Sequence, residues 1–262
     1  MIALETRIAV GFTAEIYDWK PGQVLKLFNL GKSRGTVEYE ANLTRLVHKT
    51  GLPSPAVGEI IEINGRYGLE LERVDGISLL QAIVRQPWKS GYYAHMLAEL
   101  QADMHQRQVA ALPSLKERLA GKITWGVKLP EEVRRAAMAK LEALPEDDKL
   151  CHGDFHPGNI LLNERGPVII DWIDATRGNP LLDVDRSTLL FGGGRFPAGT
   201  PWMVSVIRAS FYRVYLAHYR RLMPFKAEKL AMWLPVVAAA RLDENIYFDE
   251  RRLLSIARKL LE

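Results

Sequence analysis

Two short polar segments, each beside a run of apolar residues, constrain the fold of this chain more than any other feature. The first, residues 151–159 (CHGDFHPGN), leads directly into the apolar run ILL. The second, Asp171 and Trp172, follows the apolar run VII. Apolar runs of this length are typical of buried strands. A polar loop that lies between buried strands is held rigidly, as a reactive site requires.

The spacing of the polar side chains indicates a reaction type. Asn159 follows Asp154 by five positions, and Asp171 comes after a short predicted hairpin. Metal-assisted phosphoryl transfer uses a base, an amide ligand to the metal and a carboxylate ligand in this order. Asp and Asn also cap turns, which is the structural alternative for each of them taken singly. His152 and His156 as paired metal ligands are disfavoured because no third nitrogen or sulfur ligand lies near them in the sequence.

Bulk properties limit the class of protein. A chain of 262 residues with 48% hydrophobic composition can bury a large core, in one domain or in two lobes. No run of about 18 apolar residues is present and the N-terminus lacks a signal-peptide core, so we expect a cytoplasmic protein with no membrane partner. The single cysteine, Cys151, agrees with a reducing compartment. The net charge of +4 is spread among interleaved charges of both signs, which predicts a solvated surface and no nucleic-acid partner.

The order of predicted elements changes along the chain. Strands are predicted at 7–11, 14–19, 24–28, 57–63 and 67–71, with a helix at 36–48 and a hairpin turn at Asn64-Gly65. Helices are predicted at 92–108, 130–144, 201–221, 224–241 and 249–261, and the glycines at 192–194 as a helix stop or mobile loop. The predicted fold is α+β and bilobal. A small antiparallel N-terminal lobe (1–72) is followed by a hinge (73–77) and a larger, mainly helical lobe (78–262).

Several motifs together resemble one known family. The most specific are residues 152–159 (HGDFHPGN) and 170–172 (IDW). Supporting matches are Lys26 on the third strand, Glu40 on the next helix, residues 51–55 (GLPSP), Met104-His105 and Asp183. With these residues the chain resembles, over nearly all its length, the aminoglycoside phosphotransferase and choline kinase family of small-molecule kinases, whose fold is protein-kinase-like.

The resemblance implies ATP and Mg²⁺ as cofactors and a small-molecule hydroxyl as the acceptor. The catalytic residues are then Asp154 as the base and His152, which is expected to brace the loop. Asn159 and Asp171 are the magnesium ligands, because hard oxygen donors suit Mg²⁺. Lys26 is expected to contact the α- and β-phosphates and to be held by an ion pair with Glu40, for which Glu38 is the neighbouring alternative. Nucleotide contacts are further expected from the backbone of the turn with Gly11, Thr13 and Ala14, and from the backbone of Glu72 and Val74. Asp183 is expected to tie the catalytic loop in place.

The acceptor remains open at this level. Asp243, Glu244, Asp249 and Glu250 are candidates for an acidic wall that would favour a cationic substrate, or they form a solvated helix face. An aminoglycoside, choline, an amino alcohol, a sugar and homoserine are all compatible with the sequence, and it predicts no oligomeric state. Two alternative functions are a catalytically silent nucleotide-binding regulatory protein on the same fold and a kinase acting on protein. The second is disfavoured because no activation segment with a recognisable closing motif follows Asp171.

Overall fold

The computed structural model describes residues 6–192, 202–244 and 249–262. For Asp243 it describes the backbone but not the side chain. These residues form two compact units: unit 1, comprising Met1–Leu79 and Gly158–Asp174, and unit 2, comprising Leu80–Pro157 and Ala175–Glu262. Most of the glycine stretch 192–194 lies outside the described residues. Within the described residues, no helix is long and apolar enough to cross a membrane.

Unit 1 contains a five-stranded antiparallel sheet in the order β1-β2-β3-β5-β4. On β3, Leu25 and Leu27 face one side of the sheet, while Lys26 and Phe28 face the other. The side with Phe28 is covered by a helix, α1, whose buried residues include Val37 and Ala41. The elements are β1 (Arg7–Val10), β2 (Ala14–Asp18), β3 (Gln23–Phe28), α1 (Arg34–His48), β4 (Val57–Ile63) and β5 (Arg66–Glu72).

Local signals account for this sheet and helix. Asn64 and Gly65 both have positive φ, 51° and 75°, and join Ile63 to its partner Arg66. This is the two-residue hairpin turn that an Asn-Gly pair favours, as predicted. The helix α1 begins at Arg34, earlier than the predicted residue 36, because the Ser33 side chain accepts the Thr36 N–H at 3.2 Å and caps it.

A second sheet in unit 1 is built partly from the middle of the chain. Its strands are β6 (Ile77–Ser78), β8 (Ile160–Asn163) and β9 (Gly166–Ile169), in the order β6-β8-β9. The Ile169 N–H also donates to the Pro53 carbonyl at 2.7 Å. Contacts of this kind group Gly158–Asp174 with unit 1. The predicted boundaries at 72 and 77 follow chain order and placed this segment in the C-terminal lobe.

Unit 2 is mainly helical, and one hydrophobic core within it includes most of the helix α9 (Leu234–Arg241). Two short strands, β7 (Lys149–Cys151) and β10 (Thr176–Gly178), pair beside that core. The helices are α2 (Leu79–Arg85, whose first residue belongs to unit 1), α3 (Ser90–Met104), α4 (Leu115–Trp125), α5 (Glu131–Ala143), α6 (Pro180–Gly192), α7 (Trp202–Leu222), α8 (Ala227–Ala231), α9 (Leu234–Arg241) and α10 (Glu250–Ala257). The α+β fold is therefore as predicted.

Two helical details differ from the sequence prediction. Helix α4 was not predicted, although Ser114 caps it and Leu115, Leu119 and Ile123 are buried along one face. The helix predicted at 224–241 is interrupted, and α8 and α9 are separate. Pro235, in the first turn of α9, has no N–H to continue a helix from α8.

Candidate active site

Lys26 is the centre of a buried charge cluster in unit 1. Its Nζ donates to Glu40 Oε1 at 2.6 Å and to Asp171 Oδ1 at 3.0 Å, and its side chain is only 10% exposed. Glu38 instead pairs with Arg34 at 2.8 Å on the outer face of α1. Of the two glutamates considered, the structure therefore brings Glu40 to Lys26.

The fold explains the position and charge of Lys26. Residues alternate between the two faces of β3, so Lys26 faces the same side as Phe28, whose ring centroid lies 5.5 Å from Nζ. Burial opposes the positive charge, but the carboxylates of Glu40 and Asp171 outweigh it and raise the pKa of Lys26 above its ordinary value. The second oxygen of Glu40, Oε2, is buried without a hydrogen-bond partner among the described residues. The cluster thus fixes a permanent ammonium group.

Asp171 and Asn159 lie at the same end of the β8–β9 hairpin. The Ile170 N–H donates to the Asn159 carbonyl at 2.9 Å, so Asn159 is opposite the residue that precedes Asp171. Asp171 has φ of 65°, a left-handed conformation that costs a non-glycine residue roughly 1 kcal/mol. The next residue, Trp172, is buried and its indole N–H donates to the Ile169 carbonyl at 3.0 Å. This anchor holds the turn that presents Asp171.

The donor set suits a hard cation. Asn159 and Asp171 offer an amide oxygen and a carboxylate, which are donors of the type that Mg²⁺ prefers. Across the described ranges there is no group of three or more His, Cys, Asp and Glu side chains placed to hold a metal ion by themselves. These residues therefore suit a magnesium ion that keeps oxygen ligands from other sources, and they do not form a site that coordinates the ion with protein side chains alone.

Asp154, in unit 2, is a carboxylate flanked by positive groups. Its Oδ1 lies 3.5 Å from Arg186 Nη2 and its Oδ2 lies 3.5 Å from His156 Nε2. Burial by itself would raise the pKa of Asp154, but the hydrogen bond from His156 and the charge of Arg186 hold it well below its ordinary value. Asp154 is therefore ionised at neutral pH, which suits a group that accepts a hydrogen bond from a hydroxyl and orients it.

The loop that carries Asp154 is fixed through its backbone. The buried carboxylate of Asp183 accepts the Gly153 N–H at 2.7 Å and the His152 N–H at 3.3 Å. His105 lies 3.2 Å from the same carboxylate, and its other ring nitrogen lies 2.7 Å from the Tyr219 hydroxyl. Burial raises the pKa of Asp183, but the hydrogen bond from His105 prevails and lowers it, so the carboxylate keeps its charge. His105 and Tyr219 were not predicted as parts of this network.

His152 braces the same loop from within. The ring nitrogen Nδ1 accepts the backbone N–H of Asp154 at 3.2 Å, and the residue is fully buried. Its ring packs edge-on against Phe155, with centroids 5.8 Å apart. These contacts give His152 a positioning geometry. A catalytic role for His152 stays a prediction.

The candidate acidic wall is largely neutralised. Glu244, Asp249 and Glu250 each make ion pairs within unit 2, and the side chain of Asp243 lies outside the description. The pairs are Glu244 with Lys122, Arg186 and Arg241, Asp249 with Arg252, and Glu250 with Lys128. These carboxylates therefore do not provide an uncompensated negative surface for a cationic acceptor.

The remaining predicted nucleotide contacts lie on backbone that already makes internal bonds. The Gly11 N–H donates to the Ala14 carbonyl at 2.8 Å, and the Thr13 carbonyl accepts the Asn29 N–H. The Glu72 N–H donates to the Ala56 carbonyl, while Val74 is half-buried in the segment between β5 and β6. Contact of these residues with a nucleotide stays a prediction.

Comparisons with known proteins give one family and one fold. A family model described as the phosphotransferase enzyme family matches residues 6–225. No curated protein sequence gives a match. Among solved structures, the chain is similar to an aminoglycoside-3'-phosphotransferase of type VIII, with 21% identity, a TM-score of 0.62, and coverage of 91% of this chain and 92% of that one.

Two further structures have similar folds. One is a thermostable mutant of the aminoglycoside phosphotransferase APH(4)-Ia in a ternary complex with ADP and hygromycin B, with 15% identity, a TM-score of 0.65, and coverage of 98% and 92% of the two chains. The other is a choline/ethanolamine kinase family protein from Mesorhizobium loti, with 18% identity, a TM-score of 0.55, and coverage of 99% and 88%. At these identities the likeness is one of fold.

Proposed function

Because the chain belongs to the phosphotransferase enzyme family, we propose that it transfers the γ-phosphate of ATP, with Mg²⁺, to a hydroxyl group of a small molecule. The observation that carries the proposal is the buried Lys26 ammonium held by Glu40 and Asp171. The fold shared with a phosphotransferase that binds ADP and hygromycin B supports a nucleotide donor and a small acceptor.

The proposed donor chemistry rests on unit 1. Lys26 contributes a fixed positive charge for the phosphates, and Glu40 keeps its ammonium in one position. Asn159 and Asp171 are the residues that would hold Mg²⁺, which neutralises phosphate charge when bound. Phosphoryl transfer needs positioning and charge neutralisation more than covalent chemistry from the protein, and these side chains supply both.

The proposed acceptor chemistry rests on Asp154. The acceptor oxygen forms a bond to the γ-phosphorus while the bond from that phosphorus to the bridging oxygen breaks and ADP leaves. Asp154 accepts the hydroxyl proton, and its depressed pKa makes it an orienting group more than a strong base. His152 and Asp183 keep the loop backbone in place during this step.

Phosphate transfer from labelled ATP across a panel of metabolites and antibiotics tests the proposal. Asp154→Asn and Asp171→Asn should each reduce turnover at least 100-fold, the scale of a lost acid-base or charge-stabilising group. Glu40→Gln and Glu38→Gln form a matched pair on α1. The first should weaken nucleotide binding because it removes the charge of one of the two carboxylates that hold Lys26, and the second should not.

Two results would contradict the proposal. One is turnover that is unchanged in both aspartate variants. The other is tight ATP binding without transfer to any acceptor, which would favour a silent nucleotide-binding protein on this fold.

A further inference from the structure

Arg241, at the end of α9, is a buried guanidinium, and some of its hydrogen-bond donors have no partner among the described residues. The residue is 7% exposed, and its Nε and Nη1 are buried without a hydrogen-bond partner among the residues that the structure describes. Its ion-pair partner is Glu244, whose Oε2 lies 3.8 Å from Nε, too far for a hydrogen bond. Buried charged donors that remain unpaired are costly, so a group retained in this state points to a ligand.

The same carboxylate is shared by several cations. Lys122 Nζ donates to Glu244 Oε1 at 2.8 Å, and Arg186 donates to that oxygen as well. Through its other nitrogen, Arg186 also contacts Asp154. Among the described side chains, these three cations therefore face the carboxylates of Glu244 and of Asp154, the proposed base.

This balance of charge discriminates between classes of acceptor. A cationic acceptor would be repelled by Lys122, Arg186 and Arg241, and Glu244 is already paired with all three. A carboxylate or phosphate group would add negative charge to this cluster and accept the N–H groups of Arg241 that have no partner in the described part of the chain. The planar guanidinium matches the geometry of both groups, which it binds through two parallel hydrogen bonds.

We infer that the acceptor of this enzyme carries an anionic group, a carboxylate or a phosphate monoester, which Arg241 binds while the acceptor hydroxyl is oriented by Asp154. The part of this inference that places the acceptor hydroxyl at Asp154 rests on the proposed function. The anion site itself does not depend on it. Arg241 is then a binding residue that determines specificity, and Arg186 and Lys122 add to the positive field around it.

Transfer assays with acceptors grouped by charge test the specificity. The groups are hydroxylated carboxylates, hydroxylated phosphate monoesters, neutral polyols and hydroxylated amines that include aminoglycosides. We expect phosphate transfer to acceptors from the first two groups. The group that gives the higher kcat/KM identifies the anion. Arg241→Met should raise their KM about 10- to 100-fold with little change in kcat, the scale of a lost charged hydrogen bond.

Two variants serve as controls. Arg251→Met removes the same charge from an exposed position on α10 and should leave KM unchanged. Arg241→Lys keeps the charge but loses the planar fork, so its KM should rise by less than that of Arg241→Met. A purely structural role for Arg241 would change thermal stability and kcat but would not select against anionic acceptors. Acceptors drawn only from the amine group would overturn the inference, as would an unchanged KM in both Arg241 variants.

A binding measurement separates this inference from the proposed function. With saturating magnesium and a non-hydrolysable ATP analogue, malonate should raise the melting temperature of the wild-type protein, and 1,3-diaminopropane should not. The malonate effect should be lost in Arg241→Met, or be reduced in Arg241→Lys if the methionine variant does not fold. An equal malonate effect in the variants, or a larger effect of the diamine, would overturn the anion site. Failure of the analogue to bind would count against the proposed function alone.

Discussion

Asp185, on α6, is a buried carboxyl group that should make the stability of the protein depend on pH. It is 1% exposed, and its Oδ2 has no hydrogen-bond partner within the described ranges. Burial is the cause that raises the pKa of Asp185 from 3.8 to about 9. The carboxyl group therefore carries a proton in the folded protein at neutral pH, whereas it is ionised in the unfolded chain.

The sign and size of the effect follow from proton linkage. Between pH 4 and pH 9 the folded state binds one proton more than the unfolded state at this position, so the free energy of unfolding falls as pH rises. Each pH unit in this range costs about 1.4 kcal/mol, which amounts to about 4 kcal/mol at pH 7 relative to pH 4. The contribution is fully present below pH 4 and is lost progressively up to about pH 9.

Urea denaturation of wild type and Asp185→Asn at pH 5, 6, 7 and 8 measures this term. The amide is close in shape to the carboxyl group and does not titrate. The free energy of unfolding of the variant should therefore rise relative to that of the wild type by about 1.4 kcal/mol for each added pH unit. Contributions from other titrating groups cancel in the difference. Glu142→Gln, which replaces an exposed carboxylate of unit 2 by an amide, should show no such trend. A difference between Asp185→Asn and wild type that does not change with pH would refute the reasoning.

Three further predictions concern other contacts. Arg134 donates to four backbone carbonyls around the end of α4, so Arg134→Gln should cost about 3 kcal/mol in urea denaturation, and a loss under about 0.5 kcal/mol would contradict this. Asp183→Asn should lower kcat at least 10-fold in transfer assays while nucleotide binding, measured by calorimetry, is retained; equal loss of both would argue against a role confined to the loop. Gly76→Ala should lower the melting temperature, because its Cβ would overlap the Leu162 carbonyl oxygen, whereas Gly91→Ala in the open first turn of α3 should not.

Local patterns were sufficient for much of the fold. Short strand-like runs between turn residues predicted the five-stranded sheet of unit 1, and Asn64-Gly65 predicted the hairpin of β4 and β5, because these signals act between residues close in sequence. In the second sheet, the hairpin of β8 and β9 was predicted from its apolar runs, but the pairing of β6 with β8 was not. Its strand β6 has two residues and finds its partner, β8, more than 80 positions later. Helix α4 was missed although Ser114 and its apolar spacing would have indicated it.

The candidate site was predictable to the extent that its chemistry lies in contiguous motifs. Glu38 and Glu40 are two positions apart and therefore point about 200° apart around α1, so the packing of the helix decides which one meets Lys26. The cations around Glu244 could not be foreseen, because Lys122 and Arg186 are far from it in the sequence. The sequence offered Asp243, Glu244, Asp249 and Glu250 either as an acidic wall or as a solvated helix face. Only the three-dimensional pairing revealed that Glu244, Asp249 and Glu250 are compensated.

The discontinuity of unit 1 has a consequence for biosynthesis. A nascent chain that has emerged through Leu79 contains the residues of the five-stranded sheet. It lacks β8, the strand that pairs with β6, and the Ile169 N–H that donates to the Pro53 carbonyl. Translation of the segment Leu80–Pro157 intervenes, which at about 5–20 residues per second takes roughly 4–16 s. During that interval Lys26 has Glu40 but not Asp171. The first part of the chain to leave the ribosome is therefore completed only by a hairpin from the middle of the chain. On a ribosome stalled before Asp171, the nascent chain would contain the five-stranded sheet with Lys26 paired to Glu40 alone.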